Sequence, residues 1–124
     1  LGAALRAISA AGIRIALDDF GTGFASLTHL QLFPVDIIKI DRRFVSGLDR
    51  APEDAAIVRA IVDLSRNLSI ATVAEGVETR AQARALAAMG CGCAQGYLLA
   101  EGMPAAAVPD FLSPGAVASV GRRL

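Results

Sequence analysis

Ile13-Arg14-Ile15-Ala16-Leu17-Asp18-Asp19-Phe20-Gly21-Thr22-Gly23 reads as an apolar run that ends in two adjacent carboxylates and a glycine-rich turn. A strand closing in paired acids offers oxygen ligands, the donors that suit a hard divalent cation such as magnesium or manganese. The pairing has a geometric cost. Successive strand side chains point to opposite faces, so both acids reach one site only where the backbone is irregular. Gly21 and Gly23 permit that irregularity because glycine adopts positive φ at little cost. Taken alone, the dipeptide reads more simply as the solvated start of a loop, since acids favour turns.

Working outward, three more short runs carry polar residues at their ends. Val35-Asp36-Ile37-Ile38-Lys39-Ile40-Asp41 alternates, with Ile38 and Ile40 on one face and Lys39 and Asp41 on the other. Ala71 to Glu78 is small and β-branched and ends in Glu75 and Glu78. Cys93-Ala94-Gln95-Gly96-Tyr97 is the fourth. Helical spacing separates them. A first helix runs from Leu1 to about Ala11 and stops at Gly12. Phe24 to Phe33 repeats Leu27, Leu30 and Phe33. Ala55 to Leu68 repeats Ile57, Val58, Ile61, Val62, Leu64 and Leu68. Thr79 to Met89 repeats Ala83, Leu86 and Ala87, and a last helix spans Pro104 to Leu112. Thr79 followed by Gln82 is an N-terminal capping signal.

Strict alternation of helix and strand predicts an α/β fold with a parallel sheet and crossover helices. In such sheets the chemistry gathers at the carboxyl ends of the strands. Asp18 and Asp19, Lys39 and Asp41, Glu75 and Glu78, and Gln95 all fall there. Buried acids and lysines are costly unless paired or bound to metal, so this sorting points to a site rather than to scattered surface charge.

ALDDFGTGFASL, FPVDIIKIDRRFV, TVAEGVET and GCGCAQGY together resemble the second half of an EAL-type cyclic-di-GMP phosphodiesterase domain. The likeness covers residues 1–112, leaving 113–124 as a flexible C-terminal tail. It implies the C-terminal half, about four βα units, of a TIM-like (β/α)8 barrel. The activity it implies is hydrolysis of cyclic-di-GMP to linear pGpG in bacterial second-messenger signalling, with Mg²⁺ or Mn²⁺, as a pair in the complete domain. By motif, Asp18, Asp19 and Glu75 match metal-binding acids. Lys39 and Gln95 match residues beside the attacking water, so Lys39, Glu75 and Gln95 are the catalytic candidates. Asp41 supports that network, and Glu78 steadies the loop of Phe20, Gly21, Thr22 and Gly23. The loop 20–27 also implies a homodimer through that face of the barrel. Two cations neutralise a phosphodiester and lower the pKa of a bound water from about 15.7 toward about 7.

The chain also departs from that family. It holds no Glu-Ala-Leu tripeptide, and the upstream asparagine and glutamate of the metal site have no counterpart. A complete barrel takes eight βα units and about 250 residues, against 124 here. The expectation is a fragment, inactive by itself, of a parent with further domains upstream. A cyclic-di-GMP receptor or protein-interaction module is the alternative to the enzyme.

Composition fits part of a larger core. Hydrophobic residues make up 54% and mean hydropathy is +0.52, yet no run approaches the ~20 apolar residues of a membrane span. Half a barrel leaves two sheet edges open, which predicts self-association or aggregation. A formal net charge of zero gives no footing for nucleic acid. Cys91-Gly92-Cys93 is too tight for a zinc pair, so the cysteines read as reduced and the location as cytoplasmic. His29 reads as a surface residue. Arg42 and Arg43 read as a solvated helix start, and Tyr97 reads equally as a base-stacking residue or as packing at the rim.

Overall fold

The computed structural model describes residues 1–23 and 25–115. Four strands, β1 (Ala16–Phe20), β2 (Ile37–Ile40), β3 (Ala71–Ala74) and β4 (Cys93–Ala94), form one parallel sheet in the order β1-β2-β3-β4. Helices α1 (Gly2–Ala10), α2 (Leu27–Leu32), α3 (Arg42–Ser46), α4 (Pro52–Asn67) and α5 (Arg80–Met89) alternate with them. A 3₁₀ turn (Ala105–Ala107) and α6 (Val108–Phe111) follow. Sequential parallel neighbours joined by helices are the repeating unit of a barrel wall.

Burial follows the two periods. In β2, Ile38 and Ile40 are fully buried, while Lys39 lies on the opposite face. They meet Val58, Ile61 and Val62 of α4 and Leu86 and Met89 of α5 in one apolar cluster. Each such side chain contributes about 1.5–3 kcal/mol of burial. The other face carries Ala16, Lys39, Val73 and Cys93 and is open.

Several elements differ from the sequence expectation. β1 begins and ends three residues later than the apolar run, so Asp18 and Asp19 lie within the strand. The helix start read at Arg42 and Arg43 is only a short helix, α3, capped by the Asp41 side chain, which accepts from Arg43 N at 2.8 Å. In α4 the buried stripe is Val58, Ile61, Val62 and Ser65, leaving Ile57 and Leu68 exposed. Ser65 is tolerated there because its hydroxyl donates to Ile61 O at 2.7 Å. In α5, Gln82 and Met89 are buried and Ala87 is exposed. The Gln82 amide oxygen accepts from Glu78 N and Thr79 N, while Thr79 Oγ1 accepts from Gln82 N, completing the capping box. Leu27 of α2 is exposed. The last helix is split into a 3₁₀ turn and α6. The expected start of the second helix at Phe24, and the tail from residue 116 onward, lie outside the described residues.

Candidate active site at the strand ends

The polar strand ends converge. Lys39 Nζ lies 2.5 Å from Glu75 Oε1 and 3.2 Å from Asp18 Oδ2. Gln95 Nε2 donates to the same Glu75 Oε1 at 3.1 Å. Asp18, Lys39, Glu75 and Gln95 therefore form one bonded row across all four strands. The backbone holds the row in register beyond the strands proper. Glu75 N donates to Ile40 O at 3.0 Å, and Gln95 N donates to Ala74 O at 2.8 Å. The Lys39 side chain is only 26% exposed. Its hydrogen bond to Glu75, and then that to Asp18, hold its ammonium above the ordinary lysine value against an opposing cost of burial.

Asp19 joins this row through a β-bulge. Leu17 pairs with Ile38 and Phe20 with Ile40, so Asp18 and Asp19 together stand opposite Lys39 alone. A bulge of this kind re-aims side chains beside active sites. The irregularity expected at Gly21 and Gly23 is present, with φ of 92° and 99°, but it begins two residues earlier. Asp19 itself takes φ of 54°, a left-handed conformation that aspartate tolerates better than most residues. Asp18 Oδ1 accepts from Asp19 N at 2.8 Å, and Thr22 Oγ1 donates to Asp19 O at 2.7 Å. The loop thus folds back on Asp19, with Phe20 buried beneath it. Loss of water around the carboxyl pushes Asp19 above the ordinary aspartate value. The charge of Asp18, a hydrogen bond with Asp41 and the charges of Asp41 and Glu75 push the same way.

Beside the row opens a cavity of about 410 Å³ lined by Arg42, Glu75, Gly76, Glu78, Gln95, Gly96, Tyr97 and Ala100. Gly96 is required there. With φ of 155°, a Cβ at this position would sit 2.2 Å from Val77 O, so only glycine lets the two loops meet. Arg42 lines this cavity, where the sequence reading had only a solvated helix start. Tyr97 also lines the cavity and is 71% exposed among the described residues. Both residues follow directly on the polar strand ends, and that position was the available signal. Glu78 also lies in this wall, and among the described residues no hydrogen bond or ion pair joins its side chain to the loop it was expected to steady. His29 is partly buried rather than a plain surface residue. Its Nδ1 accepts from Ser26 N at 3.1 Å to cap α2, and its ring stacks on Phe33. Cys91 and Cys93 are both free, and Cys91 packs against the core.

A family model described as the EAL domain matches residues 1–102. The chain belongs to the EAL domain family. Among its relatives is the bifunctional diguanylate cyclase/cyclic di-GMP phosphodiesterase MucR of Pseudomonas aeruginosa. The two are 50% identical over 101 residues, 82% of this chain and 15% of MucR. The solved MucR phosphodiesterase in complex with c-di-GMP superposes with a TM-score of 0.79 at 49% identity, over 84% of this chain and 42% of that one. The EAL domain of Mycobacterium smegmatis DcpA gives 0.85 at 41% identity, over 90% and 50%. A manganese and cyclic-di-GMP complex of Klebsiella pneumoniae BlrP1 gives 0.73 at 37% identity, over 78% and 25%. The chain therefore spans half or less of these solved EAL proteins and about a seventh of curated relatives. Its four-stranded sheet is a partial EAL barrel. Among the described residues no helix is long and apolar enough to cross a membrane.

The EAL donor set suits a hard cation. Asp18, Asp19 and Glu75 each bring a carboxylate oxygen within 4.8 Å of the others. Desolvation raises Asp19 most and repulsion from Asp18, Asp41 and Glu75 adds to it, and a divalent ion would relieve that repulsion.

Proposed function

We propose that this chain carries the C-terminal half of the active site of a metal-dependent cyclic-di-GMP phosphodiesterase, which opens the cyclic dinucleotide to linear pGpG. The observation that carries the reading is the row Asp18–Lys39–Glu75–Gln95, bonded across four strand ends with Asp19 bulged in beside it. A site made only to hold a nucleotide has little use for clustered carboxylates around a lysine.

Asp18, Asp19 and Glu75 would hold Mg²⁺ or Mn²⁺, two ions in the complete domain. When bound, these ions neutralise the phosphodiester and lower the pKa of the attacking water. Lys39, kept charged by Glu75 and Asp18, presents a fixed ammonium to the attacking oxygen and to the phosphoryl oxygens. Gln95, whose Nε2 is fixed on Glu75, orients the same water through its amide. Asp41, whose side chain caps α3, neighbours Asp19 and helps raise its carboxyl, so it positions a ligand. Phe20 anchors the turn of Gly21, Thr22 and Gly23, which holds Asp19 in its bulge. In hydrolysis the water oxygen bonds to phosphorus as one P–O bond to ribose breaks. The ribose oxygen leaves as a hydroxyl carrying a proton.

The remainder of the barrel comes from the parent protein, and the chain pairs with a second copy through the loop 20–27. The test is hydrolysis of cyclic-di-GMP with Mg²⁺ and with Mn²⁺ by the parent, against the same protein carrying Asp19→Asn. The expected loss is at least about a hundredfold in turnover, since the variant removes a ligand charge. Undiminished turnover overturns the assignment of Asp19. Tight nucleotide binding without turnover in the unaltered parent marks a receptor instead.

A further inference from the structure

Asp19 holds a conformation that its own stretch of chain does not secure. Its φ of 54° lies in the left-handed region. For a residue other than glycine that region costs free energy and persists only where the surrounding structure imposes it. The hydrogen bonds of the turn are internal to it. Asp19 N donates to Asp18 Oδ1, and Thr22 N and Thr22 Oγ1 both donate to Asp19 O. Such bonds travel with the loop, so they fix its shape and not its place. Phe20, buried and paired with Ile40, fixes the point where the turn leaves the sheet. The crest of the turn, at Gly21, needs a second support.

The ring of Phe44 lies directly against it. A Cβ at Gly21 would sit 3.1 Å from Phe44 Cε2, 3.4 Å from Phe44 Cζ and 3.6 Å from Ile61 Cδ1. Among the described residues no hydrogen bond joins Gly21, Thr22 or Gly23 to α3, so the contact is one of packing. Phe44 is itself held in place. Its N donates to Asp41 O at 3.1 Å, one turn along from the cap of α3. Val45 beside it is fully buried, and Gly47 lies so close to Asp54 of α4 that a side chain there would collide. Arg43 spans the helix start, with its guanidinium carbon 5.6 Å from the centre of the Phe44 ring and its Nε 3.4 Å from Asp41 Oδ1. Asp41 and Phe44 thus stand three residues apart, Asp41 beside the Asp19 carboxyl and Phe44 against Gly21.

We infer that Phe44 is a positioning residue for Asp19: its ring seats the turn after β1, and through that turn places an oxygen ligand of the cation. This reading rests on the metal-dependent assignment above. Phe44 supplies no donor atom of its own, so its effect passes through the backbone of Gly21. A leucine at position 44 keeps much of the apolar burial but leaves a gap where the ring met the turn. Asp19 then relaxes toward an unstrained backbone and its carboxylate leaves the cluster.

The experiment is a Mn²⁺ titration of the parent protein in unaltered form and as Phe44→Leu and Val45→Ala, each below its melting temperature. Amide hydrogen exchange is followed in the metal-free state. Phe44→Leu is expected to weaken Mn²⁺ about tenfold and to speed exchange in residues 20–23. Val45→Ala opens a cavity in the same helix, so it is expected to melt lower and to bind Mn²⁺ as before. Gly21→Ala is the second variant if Phe44→Leu does not fold, since its methyl group meets the ring and lifts the turn, with a like loss of Mn²⁺. Unchanged Mn²⁺ affinity in Phe44→Leu, or in Gly21→Ala, overturns the seat and leaves the phosphodiesterase reading intact. An equal loss in Val45→Ala also overturns it, because the loss then follows stability and not the place of the turn. An unaltered protein that binds no Mn²⁺ overturns the metal-dependent assignment together with the seat.

Discussion

At the scale of single residues, the site is built on one electrostatic conflict. Asp18, Asp19, Asp41 and Glu75 crowd the ends of three neighbouring strands, and Lys39 answers only part of their charge. Asp19 carries the imbalance, because its carboxyl is held above the ordinary value of 3.8 by desolvation and by its acidic neighbours. A raised acid favours its protonated form in the folded state, so the charged form costs stability as pH rises through the raised value. Asp19→Asn removes that charge and keeps a residue that accepts positive φ. Metal-free Asp19→Asn is expected to melt higher than the unaltered chain at neutral pH. The advantage shrinks as pH falls and is gone below 3.8, where both side chains are neutral. Thermal melts across that range check the sign. Saturating Mn²⁺ reverses the order, because only the unaltered chain keeps the ligand. The conflict is what the cation proposed for this site would relieve.

At the scale of elements, the repeating βα unit was plain from spacing, while the faces of the helices were not. α4 and α5 were both expected from their periodicity, yet Ser65 and Gln82 are buried where Leu68 and Ala87 were expected. Polar residues reach the core only when their hydrogen bonds are met locally, which the apolar pattern does not record. The cap of α5 was legible because its logic is local. Thr79 Oγ1 accepts from Gln82 N at 3.1 Å, and Gln82 reaches back to Thr79 N. Thr79→Ala is expected to cost about 1 kcal/mol. The denaturation midpoint measures that cost, and an unchanged midpoint would show that α5 is held by packing alone. The boundaries of β1 were missed for the opposite reason. The paired acids called for an irregular backbone, but the place of a bulge is decided by the partner strand, where both acids stand opposite Lys39 of β2.

At the scale of the whole molecule, this sheet has a covered face and an open one. The helices shield Ile38, Ile40 and Ala74, while among the described residues Lys39 and Val73 on the other face are only partly buried, and Ala16 of edge strand β1 and Cys93 and Ala94 of edge strand β4 are exposed. Leu1, Ile13, Leu27, Leu32 and Leu112 are exposed as well. Unpaired edges and apolar surface invite association. The isolated chain is expected to sediment as dimers or larger species whose proportion rises with concentration. A monomer throughout would mean that the edges are blunted by their own charges.

The sequence by itself determined the alternating α/β plan, the family, the capping of α5 and the identity of the polar residues at the strand ends. Those are carried by spacing and local chemistry, which act within a few residues. Only the tertiary structure decided that Asp18, Lys39, Glu75 and Gln95 are bonded into one row, that Asp19 joins them through a bulge, and that Arg42, Glu78 and Tyr97 share a cavity. Each of these depends on the register between strands far apart in the chain, and register is set by packing across the sheet.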